Sequence, residues 1–334
     1  MKIPLPHLIS CLLLFPLSFQ AKAEALGVDS LGSAYGFLLG QQSTLELIER
    51  NFPELSNDVK KSWFGFNSSV FGKSQQDIEK KLANQLGEKW PEFENGMKAQ
   101  LKAALGNEQP TKEQAIAFLA MVDQRAEGEM VPSIRKTLLT VNSRYSRSPA
   151  LLMADGWKSV FSSRGHEKSK GIKMKISYPI TWEAAEGSRP NVMQKFIGKD
   201  GTGLDMLILT TRSLPADFSR LSAEDASSIL TLDVIKEMMP DETAISNYKL
   251  TKLDSLVAGM ADFSHITERA GIKIGQKGLV FAVIHDGSLI LIQCATGGDA
   301  TNGWESIDKR FKRMRELYRL IGSSAVFVTQ WEEK

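Results

Sequence analysis

The sequence predicts an α+β protein: a helical N-terminal region followed by an antiparallel β-sheet domain covered by helices. Three observations carry this. Apolar residues recur at intervals of three and four from Leu31 to Tyr145, alternating segments replace that pattern from Ile172 onward, and Asp286-Gly287 stands between two apolar runs as a hairpin turn. Helices segregated from strands in this way argue α+β rather than an alternating parallel sheet.

Residues 1–23 read as a cleavable secretory signal peptide. Lys2 supplies a positive start, Leu8 to Phe19 is an apolar stretch broken only by Ser10, Cys11, Pro16 and Ser18, and Ala21-Lys22-Ala23 sets small residues before Glu24. The stretch is well short of the roughly 20 residues that a membrane-spanning helix needs. Leu8-Ile9-Ser10-Cys11 resembles the box before a lipid-modified cysteine, but most of the apolar region follows Cys11, so ordinary cleavage is the expectation. The protein is therefore expected to be exported, to the periplasm or alternatively to the medium.

Cleavage lowers Lys+Arg from 41 to 39, equal to the 39 acids, so the mature chain is neutral and nucleic acid is not an expected partner. Cys294 is then the one cysteine left, which excludes an intramolecular disulfide.

The helical region, residues 24–145, shows its stripes at Leu38, Leu45, Ile48 and Phe52, at Ile78, Leu82 and Leu86, and at Trp90, Phe93, Met97, Leu101 and Leu105. Pro53 and Gly87 interrupt it, Gly106 follows a periodic segment, and Thr111-Lys112-Glu113-Gln114 has capping-box spacing, which together give three to five helices. Trp63, Phe64, Phe66 and Phe71 form an aromatic concentration, read as packing. Residues 146–170, rich in Ser, Arg, Lys and Gly, read as a linker with a short element at Leu151 to Phe161.

Strands follow in the third part, residues 171–328. Ile172, Met174, Ile176 and Tyr178 alternate with polar residues before Pro179; Met193 to Ile197 and Leu204 to Thr211 come next. Ser222-Ala223-Glu224-Asp225 opens a helix ended by Pro240, with Ala226, Ile229, Leu230 and Ile235 inward. Further strands are expected at Tyr248 to Leu253, Val257 to Glu268, Leu279 to His285 and Ser288 to Ala295, and a last amphipathic helix at Trp304 to Ile321.

Ile172 to Trp182 (IKMKISYPITW), the strand LDMLILT, and Leu253 to Thr296 with Gly259, His265, Gln276, Asp286-Gly287 and Cys294-Ala295-Thr296 resemble the PsbP/Mog-type fold family over about residues 170–328. The resemblance implies a non-enzymatic adaptor that binds other proteins. It carries over no functional residue.

No catalytic motif stands out. Zinc would call for His and Cys at short spacings, and the mature chain has His166, His265, His285 and Cys294; a hairpin near Ala270-Gly271 would set His265 opposite about residue 275, roughly 30 Å from His285. Neither a metal nor a cofactor is expected. Gly-x-Ser-x-Gly is absent, Glu183 and Glu186 read as solvated loop acids, and Gly198 to Gly203 reads as a hairpin turn because it lacks the Gly-Lys-Ser/Thr ending of a phosphate loop.

Two candidate sites remain. In the loop from Trp182 to Asn191 the candidate binding residues are Trp182, Glu186, Arg189 and Asn191: Arg189 offers a bidentate clamp for a carboxylate, Trp182 a stacking face, Glu186 an acid and Asn191 an amide, unless Arg189 simply pairs Glu186. The last helix carries Lys309, Arg310, Lys312, Arg313, Arg315 and Arg319, a basic patch diluted by Glu305, Asp308 and Glu316. The functional expectation is an exported, non-enzymatic binding or adaptor protein that contacts a protein or other component of the cell envelope. The alternative is an envelope hydrolase of unrecognised type.

Intact-mass analysis of the exported protein is expected to give a chain beginning at Glu24. A lipid on Cys11, or a retained Met1, would contradict the signal-peptide reading.

Overall fold

The computed structural model describes residues 27–106, 109–185, 187, 189–198, 204–215, 218, 221–269, 272–301 and 303–332. Residues 1–23, read above as a signal peptide, Glu186, and residues 199–203 of the expected Gly198–Gly203 turn lie outside them. The chain forms two compact units, Met1–Ser146 and Arg147–Lys334.

The first unit is helical and is organised by its first helix. Helix α1 (Val28–Asn51) packs against α2 (Ser56–Ser68), α3 (Ser74–Leu86), α4 (Trp90–Gly106), α5 (Lys112–Ala126) and α6 (Pro132–Val141). Gly32 and Gly36 let α4 approach, since a Cβ there would meet Phe93 at 3.2 Å and Met97 at 3.1 Å. Pro53 and Gly87 each begin a single 3-10 turn, and Thr111 and Gln114 form the capping box that their spacing predicts. Phe66 and Phe71 are core residues, whereas Phe64 is exposed. The helices outnumber the expected three to five because short ones such as α7 (Ser143–Arg147) hold too few turns to show a period.

The second unit is a layered α+β structure. It begins with α8 (Ala150–Ala154) and β1 (Lys158–Ser162), and continues through β2 (Met174–Pro179), β3 (Trp182–Ala185), β4 (Val192–Gly198) and β5 (Met206–Ser213). Then come α9 (Ala223–Ile229), α10 (Leu232–Met238), β6 (Ala244–Leu253), β7 (Leu256–Arg269), β8 (Ile272–His285), β9 (Ser288–Asp299), α11 (Glu305–Ser323) and β10 (Val326–Phe327). The larger sheet has the order β3-β4-β5-β9-β8-β7-β6, the smaller one β1-β2-β10, and every pairing is antiparallel.

Strand alternation divides the large sheet into two buried faces. Leu207, Leu209, Leu279, Phe281, Val283, Ile290, Ile292 and Cys294 share one core with Phe311, Met314, Leu317, Tyr318 and Ile321 of α11 and with Met174, Ile176 and Phe327 of the small sheet. On the other face Val280, Ala282, Leu289 and Leu291 meet Leu230, Ile235 and Met239 from α9, α10 and the residues that follow each. Covering both faces explains why β8 and β9 read as almost unbroken apolar runs. Gly322 lets the end of α11 reach the sheet, since a Cβ there would stand 2.2 Å from the Phe281 ring. Asp286 and Gly287 both take positive φ, 46° and 65°, as a tight hairpin between β8 and β9 requires.

Two expectations are corrected. Residues 146–170 are not a bare linker: β1 pairs with β2 along five residues, Met153 belongs to the core, and buried Ser163 bonds the backbone of Ile172 and Met174. An outer strand with Val160 exposed carries little apolar signal. The single helix expected from Ser222 to Pro240 is two, because Thr231 leaves helical geometry and caps α10 through Val234 N–H.

Candidate functional site

The site follows from how α11 is held. Asp205, just before β5, and Asp262 on β7 are nearly buried. A carboxylate in such a place must be paired, and α11 supplies the cations. Arg310 grips Asp205 with two bonds, Nε to Oδ1 at 3.0 Å and Nη2 to Oδ2 at 2.5 Å, while Thr296 donates to Oδ1 at 2.6 Å and Tyr318 at 3.5 Å. Burial, reinforced by the charge of Asp205, holds the Tyr318 phenol well above its ordinary pKa, so it stays a neutral donor. Arg315 donates to both oxygens of Asp262 at 3.1 and 3.2 Å, and Asn247 donates to Oδ2 at 2.8 Å.

Asn247 reaches Asp262 because β6, an edge strand, is bulged. Its register against β7 shifts between Ser246 and Lys249, and Asn247 takes φ 53°. Tyr248 is turned the other way and donates to the Leu230 carbonyl oxygen. Beside this bulge an open cavity of about 450 Å³ is lined by Asn247, Tyr248, Lys249, Met260, Arg315 and Arg319. Its lining holds three cations, an amide and two uncharged residues, with no acid. Among the described residues Arg315 is partly spent on Asp262 and Arg319 pairs Glu316 at 3.4 Å, so Lys249 and, in part, Arg319 carry the open charge.

The basic patch read from α11 is therefore not one continuous face. Arg310 and Arg315 turn down onto buried acids, Lys309, Lys312 and Arg313 are exposed, and Arg319 joins Arg315 at the cavity. Trp182 is corrected as well: it is 6% exposed in the core and offers no stacking face. Its ring lies over Gly198, opposite it in the β3–β4 pair, where a Cβ would come within 3.0 Å of Nε1. Arg189 and Asn191 are exposed, and Lys170 reaches the Asn191 side chain at 3.4 Å.

His265 lies opposite Gln276 and His285 opposite Ser288, at well-separated levels of the sheet. Burial lowers the His285 pKa, opposed by Asp286 and Asp254. Among the described residues no group of three or more His, Cys, Asp or Glu side chains could hold a metal ion, and no helix is long and apolar enough to cross a membrane. The Cys294 thiol is fully buried, and burial pushes its pKa up.

The second unit is thus an α+β sheet protein with a cationic cavity at one edge. No family model and no curated protein matches the chain. Among solved structures it is similar to cyanobacterial PsbP from Synechocystis sp. PCC 6803, at 15% identity and a TM-score of 0.35, over 51% of this chain and 92% of that one. It is also similar to LpqN, involved in cell envelope biogenesis of Mycobacterium tuberculosis (12% identity, TM-score 0.31, 54% of this chain and 96% of that one). A protein of Bacteroides thetaiotaomicron VPI-5482 is similar at 11% identity and a TM-score of 0.31, over 54% of this chain and 51% of that one.

Asn247 supplies a test of the bulge. Asn247→Gly loses the bond to Asp262 but is relieved of a Cβ at positive φ, whereas Asn247→Ala loses the same bond and keeps the Cβ, which leaves it about 1 kcal/mol less stable than the Gly variant. Urea unfolding is expected to rank the variants in that order. Equal midpoints, or a weaker Gly variant, would show that the bulge is not held at positive φ.

Proposed function

We propose that the protein is exported and acts as a non-enzymatic binding protein of the cell envelope, holding an anionic group of its partner in the cavity beside β6. The observation that carries this reading is the convergence of Lys249, Arg315 and Arg319, from two different elements, on an open cavity whose lining holds no acid. Asp262 pairs Arg315 and Glu316 lies 3.4 Å from Arg319, so the three cations keep an excess of positive charge that Lys249 carries. An incoming anion is attracted by that excess and gains charge-assisted hydrogen bonds from Arg319, Lys249 and the Asn247 amide. Met260 supplies an apolar side chain in the lining for the group that bears the charge. Export rests on the features of residues 1–23, and the adaptor role on the resemblance carried by Ile172–Trp182 and Leu253–Thr296.

The test compares the mature protein with a Lys249→Glu/Arg319→Glu variant in affinity capture from envelope extract. The variant is expected to keep its circular dichroism spectrum and urea midpoint, because both side chains are at the surface. It is expected to lose the partner that the wild type retains, and the wild-type complex should weaken as salt rises. Recovery of the same partner by the charge-reversed variant would overturn the reading.

A further inference from the structure

The helical unit holds a second, independent arrangement. Along α5 the buried positions are Ala115, Phe118, Leu119, Val122 and Arg125, so a cation occupies the apolar stripe in the last turn of the helix. Along α1 the stripe runs Ala34, Leu38, Gln41, Leu45 and Ile48, so an amide sits in the middle of it. The two intruders meet. Arg125 Nη1 donates to Gln41 Oε1 at 3.0 Å and Nη2 to the Met121 sulfur at 3.0 Å, and the guanidinium carbon lies 4.6 Å from the Phe37 ring centre and 5.4 Å from that of Phe118.

Every one of these partners is neutral. Arg125 is 6% exposed and, among the described residues, makes no ion pair. Ring faces and neutral acceptors offset part of the cost of burying a guanidinium, yet a lone buried charge remains among the most unfavourable things a core can hold. Burial alone brings its pKa down, to about 10, so it stays charged at neutral pH. Gln41 is fully buried, and its Nε2 has no hydrogen-bond partner among the described residues. An unanswered cation and an unanswered donor thus lie on the two ends of one hydrogen bond.

We propose that Arg125 and Gln41 form a receptor for a single carboxylate group. One carboxylate answers both deficits: it matches the single positive charge, it is the planar acceptor that a guanidinium fork takes, and it can accept from an amide donor such as Gln41 Nε2. A phosphate dianion would carry surplus charge into an apolar setting. The group is that of a small organic acid or of a peptide's C-terminus.

Thermal unfolding of the whole mature protein tests this at constant ionic strength, with sodium acetate titrated against sodium chloride. The wild-type midpoint is expected to rise by a few degrees in acetate once the ligand is about a hundred-fold above its dissociation constant, and to stay level in chloride. Arg125→Met keeps the length and apolar bulk of the side chain. It is expected to melt no lower than the wild type in chloride and to show no acetate response. Gln41→Leu, which leaves Arg125 in place, should weaken the response and so serves if Arg125→Met does not fold. N-acetylglycine raising the midpoint further than acetate, with N-acetylglycinamide inert, assigns the group to a peptide C-terminus; a response no larger than that to acetate assigns it to a small acid. The proposal is overturned if the wild type responds to acetate and chloride alike, or if Arg125→Met keeps the acetate response.

Discussion

Two carboxylates placed against a sheet under a helix impose the constraint on which the second unit depends. Asp205 and Asp262 lie nearly buried on the face that α11 covers, where an unpartnered carboxylate is costly. Arg310 and Arg315 meet them from one helix. Five residues at 100° each set the two arginines on opposite flanks of the stripe formed by Phe311, Met314, Leu317, Tyr318 and Ile321. Hydrophobic burial presses α11 onto the sheet but does not by itself fix rotation or register. A pair on each flank does. Removing one partner would leave a buried charge unanswered, at a cost of about 3–5 kcal/mol.

This division of labour shapes the surface. Arginines consumed by the sheet cannot contribute to a free basic face, so six cations in sequence become two anchors and four surface charges, of which Arg319 reaches the cavity. Asp262 acts twice, for it also draws Asn247 across the bulge of β6 and so shapes the cavity's edge. The helical unit places polar residues in apolar stripes to a different end: Asp205 and Asp262 meet cations within the fold, whereas among the described residues Arg125 meets no acid and Gln41 Nε2 no acceptor.

Much of the fold was legible because its signals are local. The capping boxes at Thr111 and Ser222, the Asp286-Gly287 turn and the alternation through Met174 and Ile176 depend only on neighbours in the chain, and the structure contains each. What escaped was tertiary. Whether Trp182 faces solvent or core is decided by its pairing with Gly198, whose missing side chain makes the room. The cavity joins β6, β7 and α11 through a bulge that no spacing announces. Asp262, set among Met260, Ala261 and Phe263, is the one local signal of it: an acid at an inward strand position demands a cation from elsewhere. Its partner stands 53 residues away, and that of Asp205 stands 105 away.

The most direct test of the clamp is a double-mutant cycle on Asp205 and Arg310, read by urea unfolding of the mature protein with Asp205→Asn, Arg310→Met and the two combined. Each single change should be strongly destabilising. The double variant should lose less than the sum of the two, by about 2 kcal/mol or more, because it leaves no unpaired buried charge. If the losses add to within about 0.5 kcal/mol, the two side chains do not hold one another, and α11 is fixed by its apolar stripe alone.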